Sequence, residues 1–286
     1  MKTLLLLTDF TRNATHAGAC AIELATKLKA DLLLYHSIQY MPIVPDFANG
    51  SLVTETNDII FNDSEQTLLN AAKELEAHAA EPDSYQPKIN CESGEGNLGY
   101  NIRAFTARAD IQMVVMGGRS GGTLDHLLTG SETAAVINTS QKPVLIIPLS
   151  ADLSAVRKIA FATDFHASDI NALDFLAELA QAVGANLEVV HVVKPGSVVT
   201  DIEPELLFRR YLNSFEPTSV SYQQLVGDNI SVLLDKYCHK NSVNLLAVTH
   251  QQHGWLSSLI GHSESVTLLE KQHQAVLVFP PADQPQ

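Results

Sequence analysis

The chain has 286 residues, 45% hydrophobic and 17% charged, which is ample for ordinary cores and long for one average domain, so two domains of similar size are expected. Its net charge of −14 repels phosphate backbones and no basic cluster offsets it, which argues against nucleic acid as a partner. No apolar run approaches the roughly 18 residues of a membrane span, and the three cysteines lack a C-x-x-C pair, so no membrane, no disulfide framework and a reducing cytoplasm are expected.

The opening leucine run is only four long before Thr8 and Asp9, and no small-residue cleavage site follows, so it reads as a strand rather than a signal peptide. Thr3 to Thr8 suits a strand covered on both faces. Ala17, Cys20, Ala21, Leu24, Ala25 and Leu28 then fall on one helix face, and Leu32 to Ile38 is a second strand. Strand, helix, strand in that order implies parallel pairing. Gln39 to Asn57, with Pro42, Pro45, Asn49 and Gly50, shows no period and reads as a functional or dimer-facing loop. A helix from about Ile59 to Ala80, a strand near Lys88 to Cys91 and a helix from about Leu98 to Ala107 follow. A strand over Met113 to Met116, a helix starting at Ser131 and a strand over Val144 to Ile147 complete five strands alternating with helices.

Between the last two strands lies a glycine-rich loop, with Gly117, Gly118, Gly121 and Gly122 ahead of Gly130-Ser131. Glycines let backbone approach a ligand, and a Ser-started helix presents free N–H groups at a positive dipole end, which suits an anion such as a triphosphate. A tight strand-to-helix connection would use the same glycines. Arg119 is the strong cation nearby, able to pair with a phosphate oxygen or to stay solvated on the surface. Asp9 ends a strand where ligands bind in open α/β sheets, or else caps the next helix.

The chain then repeats itself. Lys2 to Ile38 aligns at one constant offset with Arg157 to Val193, placing Thr8-Asp9-Phe10 on Thr163-Asp164-Phe165 and His36 on His191. Later Asn97 falls on Asn229, Val144 on Val276 and Pro148 on Pro280, so the second copy is shorter in its middle. Leu149 to Val156 joins two domains, 1–148 and 157–281. In register, Gly117 becomes Thr249, Ser120 becomes Gln252, and Gly130 becomes His262, with Ser263 retained. Side chains there should obstruct a phosphate. His250, His253 and His262 invite a metal reading, against which stands their weak spacing; the other reading is polar filling of a degenerate pocket. Ser120-Gly121-Gly122 with Asp125 resembles the pyrophosphatase loop of amidating enzymes, but follows a different strand.

The T-D-F strand end, the M-G loop ahead of G-S and the closing P-V-L-I-I-P strand together resemble the universal stress protein family in its tandem two-domain form, over essentially the whole chain. The resemblance implies two Rossmann-like (adenine nucleotide alpha hydrolase-like) α/β domains, each a five-stranded parallel sheet flanked by helices. Many members bind ATP with G-x-x-G, nine residues, then G-S or G-T. Carried over, Gly117 is the first glycine, Gly130 the last, Ser131 the hydroxyl on the phosphates, and Asp9 lies by the adenosine. Thr8, Phe10, Ile38, Met116 and Glu132 complete the expected set with Gly118, Arg119 and Gly121. The middle glycine departs from the pattern: Gly117 leads to Ser120, while Gly118 and Gly121 leave eight residues before Gly130. The implied function is a stress-response protein binding ATP or AMP in its first domain, the second serving as pseudo-dimer partner through paired terminal strands, with homodimerisation left open. The alternative is an interaction module with both sites vestigial. No nucleophile, base or phosphate clamp shows recognisable spacing, and slow ATP hydrolysis or autophosphorylation is left open.

Overall fold

Four consecutive leucines demand a strand covered on both faces, and β1 (Thr3–Leu7) is buried at every position. The computed structural model describes residues 2–38, 50–79, 84–118, 131–166, 168–196, 203–215, 220–250 and 274–280, with the side chains of 50–58, 60 and 131 left out. After β1 come α1 (Arg12–Leu28), β2 (Asp31–Ile38), α2 (Gly50–His78), β3 (Ile89–Glu95), α3 (Leu98–Thr106), β4 (Ile111–Gly117), α4 (Ser131–Thr139) and β5 (Val144–Ile147). The second half gives β6 (Lys158–Thr163), α5 (Ser168–Val183), β7 (Asn186–Val193), α6 (Glu203–Leu212), β8 (Val220–Val226), α7 (Ile230–Lys240), β9 (Leu245–Thr249) and β10 (Ala275–Phe279).

Two elements differ from the sequence reading. Helix α2 starts at Gly50, so the end of the expected 39–57 loop is helical, and residues 39–49 lie outside the described residues. From Ser51 to His78 no Gly or Pro interrupts the chain, so nothing stops the helix even where its apolar period is weak. Strand β3 runs on to Glu95 because it is an edge strand: its residues alternate between half-buried and exposed, and an apolar-run criterion stops short of them.

All ten strands form one sheet in the order β3-β2-β1-β4-β5-β10-β9-β6-β7-β8. Pairing is parallel within each half. The halves meet antiparallel at the terminal strands, Val144 opposite Val278, Leu145 opposite Leu277 and Ile146 opposite Val276, which is the expected pseudo-dimer contact about an approximate two-fold. It also covers two apolar edges that would otherwise be open.

Strand residues alternate between two helical layers. Leu4, Leu6, Leu145 and Leu277 face α1, α2, α5 and α6, while Leu5, Leu7, Val144 and Val276 face α3, α4 and α7. Each core runs through both halves. Burying Leu145 and Leu277 contributes about 1.5–3 kcal/mol apiece, so the seam is part of the core. The linker adds to it: Ala151, Leu153 and Val156 are buried, the Ala151 carbonyl lies 2.8 Å from His16 Nε2, and Lys27 Nζ donates to the Ser154 carbonyl at 2.6 Å.

The repeat extends to hydrogen bonds. Phe10 and Phe165, both in the left-handed region at φ 61° and 66°, close the turn after the first strand of each half. Their amides donate to Thr8 Oγ1 (3.1 Å) and Thr163 Oγ1 (2.9 Å), and their rings lie 4.4 and 4.3 Å from those of His36 and His191. Helix α6 spans 10 residues where α2 spans 29, which accounts for much of the shorter middle of the second copy.

Candidate functional site

In each half the chain leaves its first strand in one direction across the sheet and returns through the fourth in the other, so the carboxyl ends of β1 and β4 flank a switch point. A cleft of about 370 Å³ opens there, within the range of small-ligand sites. Its walls come from Thr8 and Asp9 after β1, Tyr35 to Ser37 on β2, Met116 to Gly118 on β4, and the first turns of α1, α3 and α4.

Local chemistry fixes this shape. Thr11 caps α1, accepting from the Ala14 amide at 3.4 Å, and Asp9 Oδ1 holds Thr11 by accepting from its amide (3.0 Å) and hydroxyl (2.6 Å). Asp9 therefore steadies the cap instead of being it. Asn13 Nδ2 donates to the Gly118 carbonyl at 2.8 Å, and the Gly118 amide donates to Ile147 O at 2.8 Å, so α1, the start of the glycine loop and β5 are tied together. At Gly117 there is no room for a side chain: a Cβ would lie 2.7 Å from the Asn13 carbonyl and 2.9 Å from the Ala14 amide. Two helix starts, α1 and α4, face the cleft and bring a positive field to it. Among the described lining residues Asp9 and Glu132 carry carboxylates, and no Lys or Arg is present.

Of the residues expected from sequence, Thr8, Asp9, Met116, Gly117, Gly118 and Glu132 come together on the cleft. Phe10 does not line it; its ring turns to a second cavity between α1 and α2. Ile38 is buried and does not line it either. Arg119, Gly121 and Gly130 lie outside the described residues, and Ser131 is described only as the first residue of α4. Sequence reasoning missed Thr11 and Asn13, which follow the expected turn, and Tyr35 and Ser37 on β2.

The second half fills the same place. Asp169 is fully buried; its Oδ2 accepts from the Thr163 hydroxyl (2.6 Å) and the His166 amide (3.2 Å), and its Oδ1 from the Thr249 hydroxyl (2.7 Å). Burial pushes its carboxyl above the ordinary range, these hydrogen bonds opposing the shift in part and the Asp164 charge adding to it. Asp169 stands on Ala14 in the repeat, and a charge at an apolar helix position was the signal available in the sequence. His250, which stands on Gly118, is buried with Nε2 3.0 Å from Asn138 Oδ1 of the first half, and burial lowers its pKa. Among the described residues no three His, Cys, Asp or Glu side chains are grouped to hold a metal; His253, His262 and Ser263 lie outside them.

The universal stress protein family profile matches residues 1–148 and again 155–280. A universal stress protein from Archaeoglobus fulgidus is similar in structure over 97% of this chain and 98% of its own, with TM-score 0.73 and 17% identity. A putative universal stress protein from Pseudomonas aeruginosa matches 98% of this chain and 94% of its own, at TM-score 0.51 and 13% identity. The cytoplasmic domain of a prokaryotic cation chloride cotransporter matches 97% and 94%, at TM-score 0.51 and 12% identity. No curated protein matches the sequence. With two family matches that between them span nearly the whole chain, and a Rossmann-like fold repeated across one sheet, the chain belongs to the universal stress protein family, in tandem form.

Proposed function

We propose that the first half binds an adenine nucleotide, ATP or AMP, in the cleft between β1 and β4, and that the second half is its permanent partner in an intramolecular pseudo-dimer serving a stress response. The observation that carries this reading is the difference between the halves: bare backbone at Gly117 borders an open cleft, while a buried carboxylate occupies the equivalent place beside Thr249. Helix starts suit phosphate, and the hydroxyl of Ser131 at the head of α4 is the group expected on it. A cytoplasmic setting fits three cysteines that are all free thiols.

The competing reading, an interaction module with a vestigial site, is favoured by Ser120 in the middle-glycine position and by the carboxylates of Asp9 and Glu132 on the cleft wall. Titration of ATP and AMP into wild type and Gly130→His, which copies the second half into the first, separates the two. Binding lost in the variant supports the nucleotide cleft; absence of binding to wild type supports the module. Phosphate release from ATP tests slow hydrolysis in the same samples.

A further inference from the structure

Phe10 borders a second cavity, of about 220 Å³, enclosed by α1, α2 and the sheet. Its floor is apolar: Leu6 and Leu34 from the strands, Leu75 from α2 and bare backbone at Gly18 of α1 line it together with Phe10. A cavity of about 150 Å³ is enough for a benzene molecule, so this space suits a body of one ring or a short branched chain. It is distinct from the nucleotide cleft, and among the described lining residues the two share Thr8 and Ala14 alone.

The second half fills the corresponding place with side chains. Leu173 stands on Gly18 and is fully buried, and Phe208 of α6 packs on Phe165, the counterpart of Phe10, at 5.5 Å between ring centroids. In the first half Phe10 is only partly buried, and a Cβ at Gly18 would already lie 3.0 Å from the Leu75 side chain. The glycine thus keeps open in one copy what a leucine and a phenylalanine close in the other.

The rim is rich in acceptors. Thr15 and Thr67 give their hydroxyl protons to the carbonyls of Thr11 (3.2 Å) and Asp63 (2.8 Å), which leaves their oxygen lone pairs free to accept. His78 Nδ1 lies 2.9 Å from the Glu74 carbonyl, so in its neutral form the ring donates there and keeps Nε2 as an acceptor. Glu74 adds a carboxylate, and no Lys or Arg is among the described lining residues. Asn70 supplies N–H groups, its Oδ1 accepting from Gln66 at 3.3 Å. We infer that this cavity is a separate binding site for a small amine, whose apolar body rests on Leu6, Leu34 and Phe10 and whose ammonium group meets Glu74 at the rim. An ammonium carries three donors and no acceptor, which matches such a rim, and its charge complements the carboxylate.

The test titrates the full chain, isotope-labelled for amide NMR, with phenethylamine and with its uncharged analogue phenethyl alcohol. Phenethylamine should shift the amides of Phe10, Gly18 and Ala71 saturably, and the alcohol should do so more weakly. Glu74 is exposed, so Glu74→Gln keeps the fold and should raise the dissociation constant of the amine about two- to fivefold while leaving that of the alcohol unchanged. Gly18→Leu, which copies the second half into the first, should abolish binding of both. Absence of saturable shifts in wild type would overturn the inference, as would shifts centred on Gly118 and Glu132 of the other cleft, or a Glu74→Gln variant that treats the two compounds alike. Undiminished binding to a folded Gly18→Leu variant would overturn it too; where that variant does not fold, the shift map and the Glu74→Gln comparison decide. No nucleotide enters these titrations, so their outcome is independent of the nucleotide reading.

Discussion

Thr249 donates its hydroxyl to Asp169 Oδ1 at 2.7 Å, tying the end of β9 to the first turn of α5. The corresponding residues of the first half are Gly117 and Ala14, where strand and helix backbones approach so closely that no β-carbon fits at 117. One junction is thus built in two ways, by bare backbone in the first half and by a side-chain pair in the second. Among the described residues, the bare junction has a cleft of about 370 Å³ beside it.

The two solutions should be exchangeable as pairs and not singly. Gly117→Thr should cost about 1–3 kcal/mol, because the clash is with backbone that cannot swing aside. Ala14→Asp alone buries a carboxylate with no hydroxyl at 117 to meet it and should also destabilise. Together they recreate the pair of the second half, and the double variant should be more stable than the sum of the two by about 0.5–3 kcal/mol. Urea unfolding of the four proteins measures the coupling, and simple additivity would speak against the pairing.

Asp169 also makes a pH prediction. Burial raises its folded pKa above the unfolded value of about 3.9, so the folded state holds the proton more tightly. Its contribution to stability is fully present below the unfolded value and is lost as pH rises through the folded one. The stability of wild type relative to Asp169→Asn should therefore fall as pH rises above about 4, then level off. Urea melts at a series of pH values give this difference, and a flat or rising difference would contradict the buried-carboxylate account.

His36 lines the cleft, yet its bonding is the same as that of His191 in the half where Asp169 fills the place. The Nδ1 atoms lie 2.8 Å from the carbonyls of Thr8 and Thr163, holding the turn that puts Phe10 and Phe165 at positive φ. The shared role is structural. His36→Leu and His191→Leu should each lower stability by about 1–3 kcal/mol, and by similar amounts, because each leaves a strand-end carbonyl unpaired. A much smaller effect at His36, seen in denaturant melts, would mark it as a ligand group instead.

Strands such as β1 and β5 were legible because burial on both faces writes itself as an unbroken apolar run, and the repeat located the seam between β5 and β10. The T-D-F turn was legible because it recurs in both copies, and Gly117 because close backbone approach restricts which residues serve. Polar pairs were not. Asp169 and Thr249 are 80 residues apart, and neither composition nor period announces that one carboxylate will accept both threonine hydroxyls. Tyr35 escaped because in a strand it reads as ordinary core.

The asymmetry between the halves reduces to a count. Calorimetric titration of AMP and of ATP into the wild-type chain should give one site per chain, since among the described residues the first half has bare backbone at the end of its fourth strand and a cleft beside it, while the second has Thr249 paired with Asp169. Two equivalent sites would contradict this account, because a place filled by Asp169 between Thr163 and Thr249 would then accept nucleotide as readily as the open one.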